Sequence, residues 1–210
     1  ALTGQSGQMD PMFPGLPLDT HTATGLLFGL PMPMAVKLAR GPVEAAGIGM
    51  VNDPDAIYLR ANLATLELAG NGHYQILDRR SGRIADGTAI LTGSLGEMEL
   101  GEGIKASLHP ATQHRMVVKL SGPDLSPSIT NTDPGSSFAE TGLLEARAID
   151  PADPRAVRTA NAINRLTRLV FEKLHQHPIN LHRQQQGLQP ANGIICRSPG
   201  RMPHLQTLIL

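Results

Sequence analysis

Tryptophan is absent from these 210 residues, and Phe, Trp and Tyr together make up only 3%. A stacking platform for single-stranded bases is therefore excluded. Charge of one sign is lacking too: 18 Lys and Arg balance 18 Asp and Glu, leaving no bulk field for nucleic acid or an anionic membrane. The one cysteine, Cys196, cannot form an internal disulfide, so a reducing cytoplasm is the expected compartment. No apolar run approaches the roughly 20 residues of a membrane helix, and the start lacks a charged-then-apolar signal pattern. These absences predict a soluble cytoplasmic protein with neither nucleic acid nor membrane as partner.

What is present is a chain 40% hydrophobic, with 22 glycines and 17 prolines. The length suits one large domain or two small ones, built from short elements joined by tight turns. Residues 1–17 read as a Gly/Pro-rich loop, followed by short helices near Thr22–Leu30, Ala35–Ala39 and Val43–Ala46. From Ile57 the period changes to two. Ile57, Leu59, Ala61 and Leu63 alternate with Tyr58, Arg60 and Asn62, which predicts a strand with one wet face carrying Arg60 and Asn62. "GNG" at Gly70–Gly72 predicts a hairpin turn centred on Asn71, with "HYQIL" returning and Arg60 placed opposite Arg83. "HRMVVKL" is another strand, with Arg115 and Lys119 on one face and Met116, Val118 and Leu120 on the other. Asp153 and Pro154 open a long helix that buries Val157, Ala160, Ile163, Leu166, Val170 and Leu174 and stops at Pro178. "NGIIC" (Asn192–Cys196) predicts a short buried strand.

Three groups of residues invite chemistry. Arg79, Arg80 and Arg83 crowd together beside Asp78, and guanidinium forks match the oxygens of phosphate and carboxylate. Arg60, Arg115 and Lys119 sit on strand faces that could join them; the competing reading is a solvated hairpin end with local ion pairs. "THTAT" (Thr20–Thr24) places hydroxyls at a helix start, where backbone N–H groups favour anions. Such a hydroxyl is either a cap, from Asp19, Thr20 or Thr22, or a nucleophile activated by a metal. His114, His175, His177 and His182 lack metal-ligand spacing. Asp133 in "NTDPG" reads as a turn residue, and Cys196 as a buried inert thiol.

Taken in order, several stretches resemble the archaeal-type cofactor-independent phosphoglycerate mutases of the alkaline phosphatase superfamily. "RANLATLE" and "ILDRRSGRI" are similar to that family's R-x-N-x-x-T and D-R-R-x-G-R-I signatures. "QHRMVVKLSGPDLS" and "TNTDPG" are similar to its H-R, L-S and D-T-D-P elements. "HPINLHRQQQGLQPANGIICRSPG" resembles H-P-x-N-x-x-R, G-x-x-x-A-N and R-x-x-G. "PGLPLDTHTATGLLFG" aligns with its proline-glycine loop and nucleophile motif, which puts Thr20 at the family's serine.

The resemblance implies an α/β fold: a partial alkaline-phosphatase-like core with an inserted α+β substrate domain. Residues 1–45 would belong to the core, 46–180 to the insertion, and 181–210 would return to the core. It further implies a metal-dependent isomerase of glycolysis and gluconeogenesis that interconverts 3- and 2-phosphoglycerate through phospho-Thr20, with no 2,3-bisphosphoglycerate requirement. Arg60, Asn62, Asp78, Arg79, Arg80, Arg83, His114, Arg115 and Lys119 would hold a small phosphorylated carboxylate. Divalent metals (Mn²⁺, Mg²⁺ or Zn²⁺) would be held by the Thr20 oxygen and by ligands from segments outside this chain. The 210 residues are thus expected to be the middle of a longer enzyme, weak or inactive alone. His21 and Thr24 stand where the family has Asp and His, and Asp19 where it has Gly. Two alternatives stay open: a non-catalytic phospho-anion-binding domain, or a phosphomonoester or phosphonate hydrolase on the same scaffold.

Overall fold

The computed structural model describes residues 20–27, 29–51, 53–70 and 72–202. The Gly/Pro-rich loop, Asp19 and the turn centre Asn71 lie outside them. The chain divides into two compact units, Ala1–Leu38 and Ala39–Leu210. In the first, helix α1 (Thr20–Leu27) packs on α2 (Met32–Ala35). Gly25 leaves room for the Leu38 side chain, whose Cδ1 would stand 2.8 Å from a Cβ there. Both helices begin earlier than the sequence predicts.

The second unit is built on a six-stranded sheet whose paired strands run antiparallel. Its long central strand β1 (Ile57–Leu68) follows helix α3 (Arg40–Gly47). Around it lie β2 (Tyr74–Asp78), helix α4 (Thr88–Leu95), β3 (Met98–Gly101), β4 (Ile104–Pro110) and β5 (Arg115–Ser121). A short helix α5 (Phe138–Thr141), the long α6 (Pro154–Leu174), α7 (Pro178–Gln185) and β6 (Gly193–Gly200) complete the unit. The order is β2-β1-β5-β4-β3, with β6 on the other side of β1.

Period two decides which residues share a face. Ile57, Leu59, Ala61 and Leu63 join Met116, Val118, Leu120, Ile194 and Cys196 in the main core, closed by Leu91 of α4 and by Ile163, Leu166, Val170 and Leu174 of α6. α6 starts where predicted: Asp153 Oδ1 accepts from Arg155 N at 3.0 Å, and Pro154 occupies the first turn. Val157 departs from the expected stripe, being 37% exposed. Pro178 does not merely stop α6; it opens α7, whose N-terminus is capped by His177 Nδ1 accepting from Ile179 N.

Two expectations about β1 are corrected. Its polar face is not wet, because Arg60 and Asn62 are only 4% and 5% exposed. α3 covers that side, and Ala45 packs with Tyr58 and Val117. Nor does Arg60 face Arg83. The β1–β2 ladder runs only from Thr65↔Asp78 to Leu68↔Tyr74, so Arg60 lies between Val117 of β5 and Arg197 of β6. Among the described residues no helix is long and apolar enough to cross a membrane.

Candidate functional site

β2 ends at Asp78, and the chain then makes an unusual turn. Ser81, Gly82 and Arg83 have successive φ values of 47°, 63° and 57°. For a non-glycine residue that left-handed conformation costs roughly 1–2 kcal/mol, and such strain gathers at functional sites. The turn aims N–H groups inward, and the Asp78 carboxylate fills the concavity. Its Oδ1 accepts from Arg80 N and its Oδ2 from Gly82 N, each at 2.7 Å. Asp78, foreseen as a substrate contact, uses both oxygens on this turn. Arg80 and Arg83 leave it exposed.

Beside the turn lies the buried face of the sheet. Arg60 pairs across the ladders with Val117 and Arg197, and Asn62 with Arg115 and Ile195, so Arg60, Arg197, Asn62 and Arg115 share that face. Arg60 Nε is 3.2 Å from Glu44 Oε1 of α3, without the angle of a hydrogen bond. Asn62 Oδ1 and His114 Nδ1 are likewise buried without a hydrogen-bond partner. His114 adjoins Asn62 because its carbonyl accepts from Leu63 N at 2.8 Å. Native proteins leave few buried polar atoms unpaired, at about 1–3 kcal/mol each. Three such atoms belong to β1 and to the residue just before β5.

Asp133 closes the site. Arg79 Nη2 donates to both its oxygens at 2.7 and 2.8 Å, and Arg79 Nε to Oδ1 at 3.1 Å. Arg197 Nη1 stands 3.7 Å from Oδ2, and Gly135 N donates to Oδ1 at 3.0 Å. The Arg79 guanidinium also lies 5.8 Å from the Phe138 ring centroid.

Electrostatics tie these groups into one field. Burial lowers the Arg60 guanidinium to about 10; repulsion from Arg197, Arg40 and Arg115 adds to this, and Glu44 opposes it. Burial also lowers the His114 pKa, reinforced by the positive charges of Arg115, Arg80, Arg60 and Arg83. Neutral His114 therefore sits amid guanidinium groups that Glu44 and Asp133 only partly offset. A field of that sign attracts anions, and its guanidinium forks match carboxylate or phosphate.

Arg60, Asn62, Arg79, Arg80, Arg83, His114 and Arg115 thus gather around one patch. Lys119 does not join them: its Nζ pairs with Asp53 Oδ2 at 2.8 Å, beside a separate pocket of about 470 Å³ that Ser107 and His109 also line. Thr20, in the first unit, is the exposed first residue of α1, with its carbonyl accepting from Thr24 Oγ1 at 2.7 Å. Sequence reasoning missed Arg197, Glu44 and the pairing role of Asp133. Arg197 directly follows the apolar strand, which was the available signal. Among the described residues no group of three or more His, Cys, Asp or Glu could hold a metal ion.

A family profile described as 2,3-bisphosphoglycerate-independent phosphoglycerate mutase matches residues 1–180. An enzyme of that name from Ignicoccus hospitalis is 40% identical over 206 residues, covering 96% of this chain and 48% of the relative. One from Methanocorpusculum labreanum is 36% identical over 210 residues, covering 99% and 49%. The structure of a cofactor-independent phosphoglycerate mutase from Thermoplasma acidophilum superposes with a TM-score of 0.67 at 32% identity, over 80% of this chain and 43% of that one. The chain therefore belongs to the archaeal-type 2,3-bisphosphoglycerate-independent phosphoglycerate mutases, a family of glycolytic isomerases, and spans about half the length of the relatives it matches.

Proposed function

We propose that this chain is the substrate-recognising part of a phosphoglycerate mutase, with residues 46–180 as the inserted α+β domain and residues 1–45 and 181–210 leading from and to an alkaline-phosphatase-like core. The observation that carries the reading is the guanidinium field around buried Arg60, Asn62 and His114, whose Nε, Oδ1 and Nδ1 atoms respectively make no protein hydrogen bond. A phosphoglycerate presents two anionic ends, a carboxylate and a phosphate. Forked donors from separate strands and a rigid turn suit both at once.

In the complete enzyme, Thr20 Oγ attacks phosphorus. The bond from phosphorus to the glycerate oxygen breaks as the bond to Thr20 forms, and the threonine proton ends on the freed glycerate hydroxyl. Glycerate then reorients under the arginines, and its other hydroxyl attacks phospho-Thr20, returning the proton. The arginines hold the carboxylate and offset charge on the travelling group; positioning and electrostatics supply most of such catalysis. The family resemblance implies divalent metals as well, but the described residues offer them no ligand set, so no step is assigned to one.

Calorimetric titration with 3-phosphoglycerate at low salt should give saturable binding. Thr20→Ala should leave that binding intact and remove whatever exchange between 3- and 2-phosphoglycerate the chain catalyses with Mn²⁺ or Mg²⁺. Equal exchange in both proteins ends the nucleophile assignment. Binding that persists in EDTA with no turnover under any metal supports the binding-only alternative, and faster hydrolysis of other phosphomonoesters supports a hydrolase.

A further inference from the structure

The strained turn that presents Arg80 and Arg83 is fastened from outside by a residue with no direct place in anion recognition. Arg183, near the end of α7, donates through Nη2 to the Ser81 carbonyl at 3.0 Å. Through Nε it donates to the Gln189 carbonyl at 2.9 Å, on the loop entering β6. Ser81 is fully buried, and the same guanidinium stands 3.6 Å from where a Gly82 side chain would begin. Burial lowers its pKa.

α7 is in turn locked to the sheet. Asn180 donates to Leu174 O at 2.8 Å and Ala191 O at 3.0 Å, and accepts from Ala191 N at 2.7 Å. Asn192 then brackets β1, accepting from Leu66 N at 2.8 Å and donating to Leu66 O at 2.9 Å. A continuous run of hydrogen bonds therefore leads from the central strand through α7 to the left-handed turn. Asp78 holds the turn from inside through its N–H groups; Arg183 holds it from outside through a carbonyl.

We propose that Arg183 is a positioning residue: it fixes the left-handed Ser81–Arg83 turn so that Arg80 and Arg83 are already aimed at the anion. The inference rests on the phosphoglycerate reading for the identity of that anion, but not for the latch itself. The planar fork suits this contact, since Nη2 and Nε, fixed in one plane, donate to Ser81 O and Gln189 O together. Lysine, a point donor, reaches one of them.

The test has two independent readouts on the whole chain. In amide hydrogen exchange, Arg183→Gln and Arg183→Lys should each speed exchange at Gly82 and Arg83 at least about tenfold, a change set by loss of one charge-assisted hydrogen bond. Amides of β1 and α6 should be unchanged. Unaltered exchange in the turn overturns the latch whatever the ligand. In calorimetry with 3-phosphoglycerate, Arg183→Gln should weaken binding about tenfold in the native background and less than about twofold once Arg80→Gln and Arg83→Gln are present. Equal losses in both backgrounds would mean Arg183 acts elsewhere, and would overturn its positioning role. If the native chain binds no 3-phosphoglycerate, the substrate reading fails, while the exchange measurement still decides the latch. Arg183→Lys covers the case in which the glutamine variant does not fold.

Discussion

A carboxylate side chain only 2% exposed, gripped by a guanidinium fork and faced by a second arginine, depends on its charge. Asp133→Asn keeps the shape and removes the charge, leaving Arg79 partly buried against a neutral amide. Breaking a buried ion pair from one side costs about 3–5 kcal/mol. Arg79 retains 22% side-chain exposure, so water recovers part of that. A loss of about 2 kcal/mol is expected, read as a fall in the urea midpoint with unchanged slope. A loss below about 0.5 kcal/mol would show that Arg79 is solvated without Asp133. Half of this residue's role is legible in "NTDPG": Asp133 does form the turn contact to Gly135 N. The other half is not, because Arg79 is 54 positions away in sequence and only the fold brings it back. The same holds for Arg60, whose neighbour Arg197 comes from the far end of the chain.

At the scale of elements, strong periodicity was legible and coverage was not. α6 announces itself by its cap, its proline and its apolar stripe; β1 and β5 do so by alternation. Alternation alone cannot say whether the polar face is solvated or roofed. Over β1 the roof is α3, a helix whose sequence "RGPVEAAG" carries glycine and proline and so weak helical propensity. Its packing depends on Gly41, where an added Cβ would meet the Tyr58 carbonyl and approach Leu59 Cα to 2.8 Å. Since that obstacle is backbone, α3 would have to lift. Gly41→Ala should cost about 2–3 kcal/mol by overpacking and weaken 3-phosphoglycerate binding through Glu44 and Arg60. Urea unfolding and calorimetry on the same variant test both, and a variant as stable as the native chain would refute the close approach. β3 was missed because it has only four residues, β4 because it starts from a glycine turn and ends in a proline, and α7 because a proline that ends one helix can also begin the next.

For the whole molecule, the shifted groups together set a pH window. His109 and His114 are both pushed below the usual 6.5 by burial, with Lys119 adding to the first and the surrounding arginines to the second. As pH falls below 6.5, the unfolded chain takes up protons that the folded chain refuses, so stability declines. Asp53, held down by Lys119, and Asp153, where backbone N–H bonds outweigh burial, add a second decline below 3.8. On the alkaline side the signs reverse. Burial pushes the Cys196 thiol from 9.0 up to about 12, with Asp133 beside it, and burial also raises Tyr74. Above 9.0 the unfolded chain releases protons that the fold retains at Cys196 and Tyr74, and stability falls, opposed in part toward pH 10 by Arg60, whose proton the fold releases first. Urea unfolding across pH 5–10 should therefore trace a plateau between about 6.5 and 9 with a slope on either side. His114→Gln should flatten part of the acid slope between 6.5 and 5, and His109→Gln much of the rest. An anion seated among the arginines should shrink part of the same slope, because it lessens the repulsion that adds to burial in keeping His114 neutral. Stability that rises from pH 6.5 to 5.5 in the free chain would mean that these histidines gain a partner on protonation, and the cationic patch would then not be the field described above.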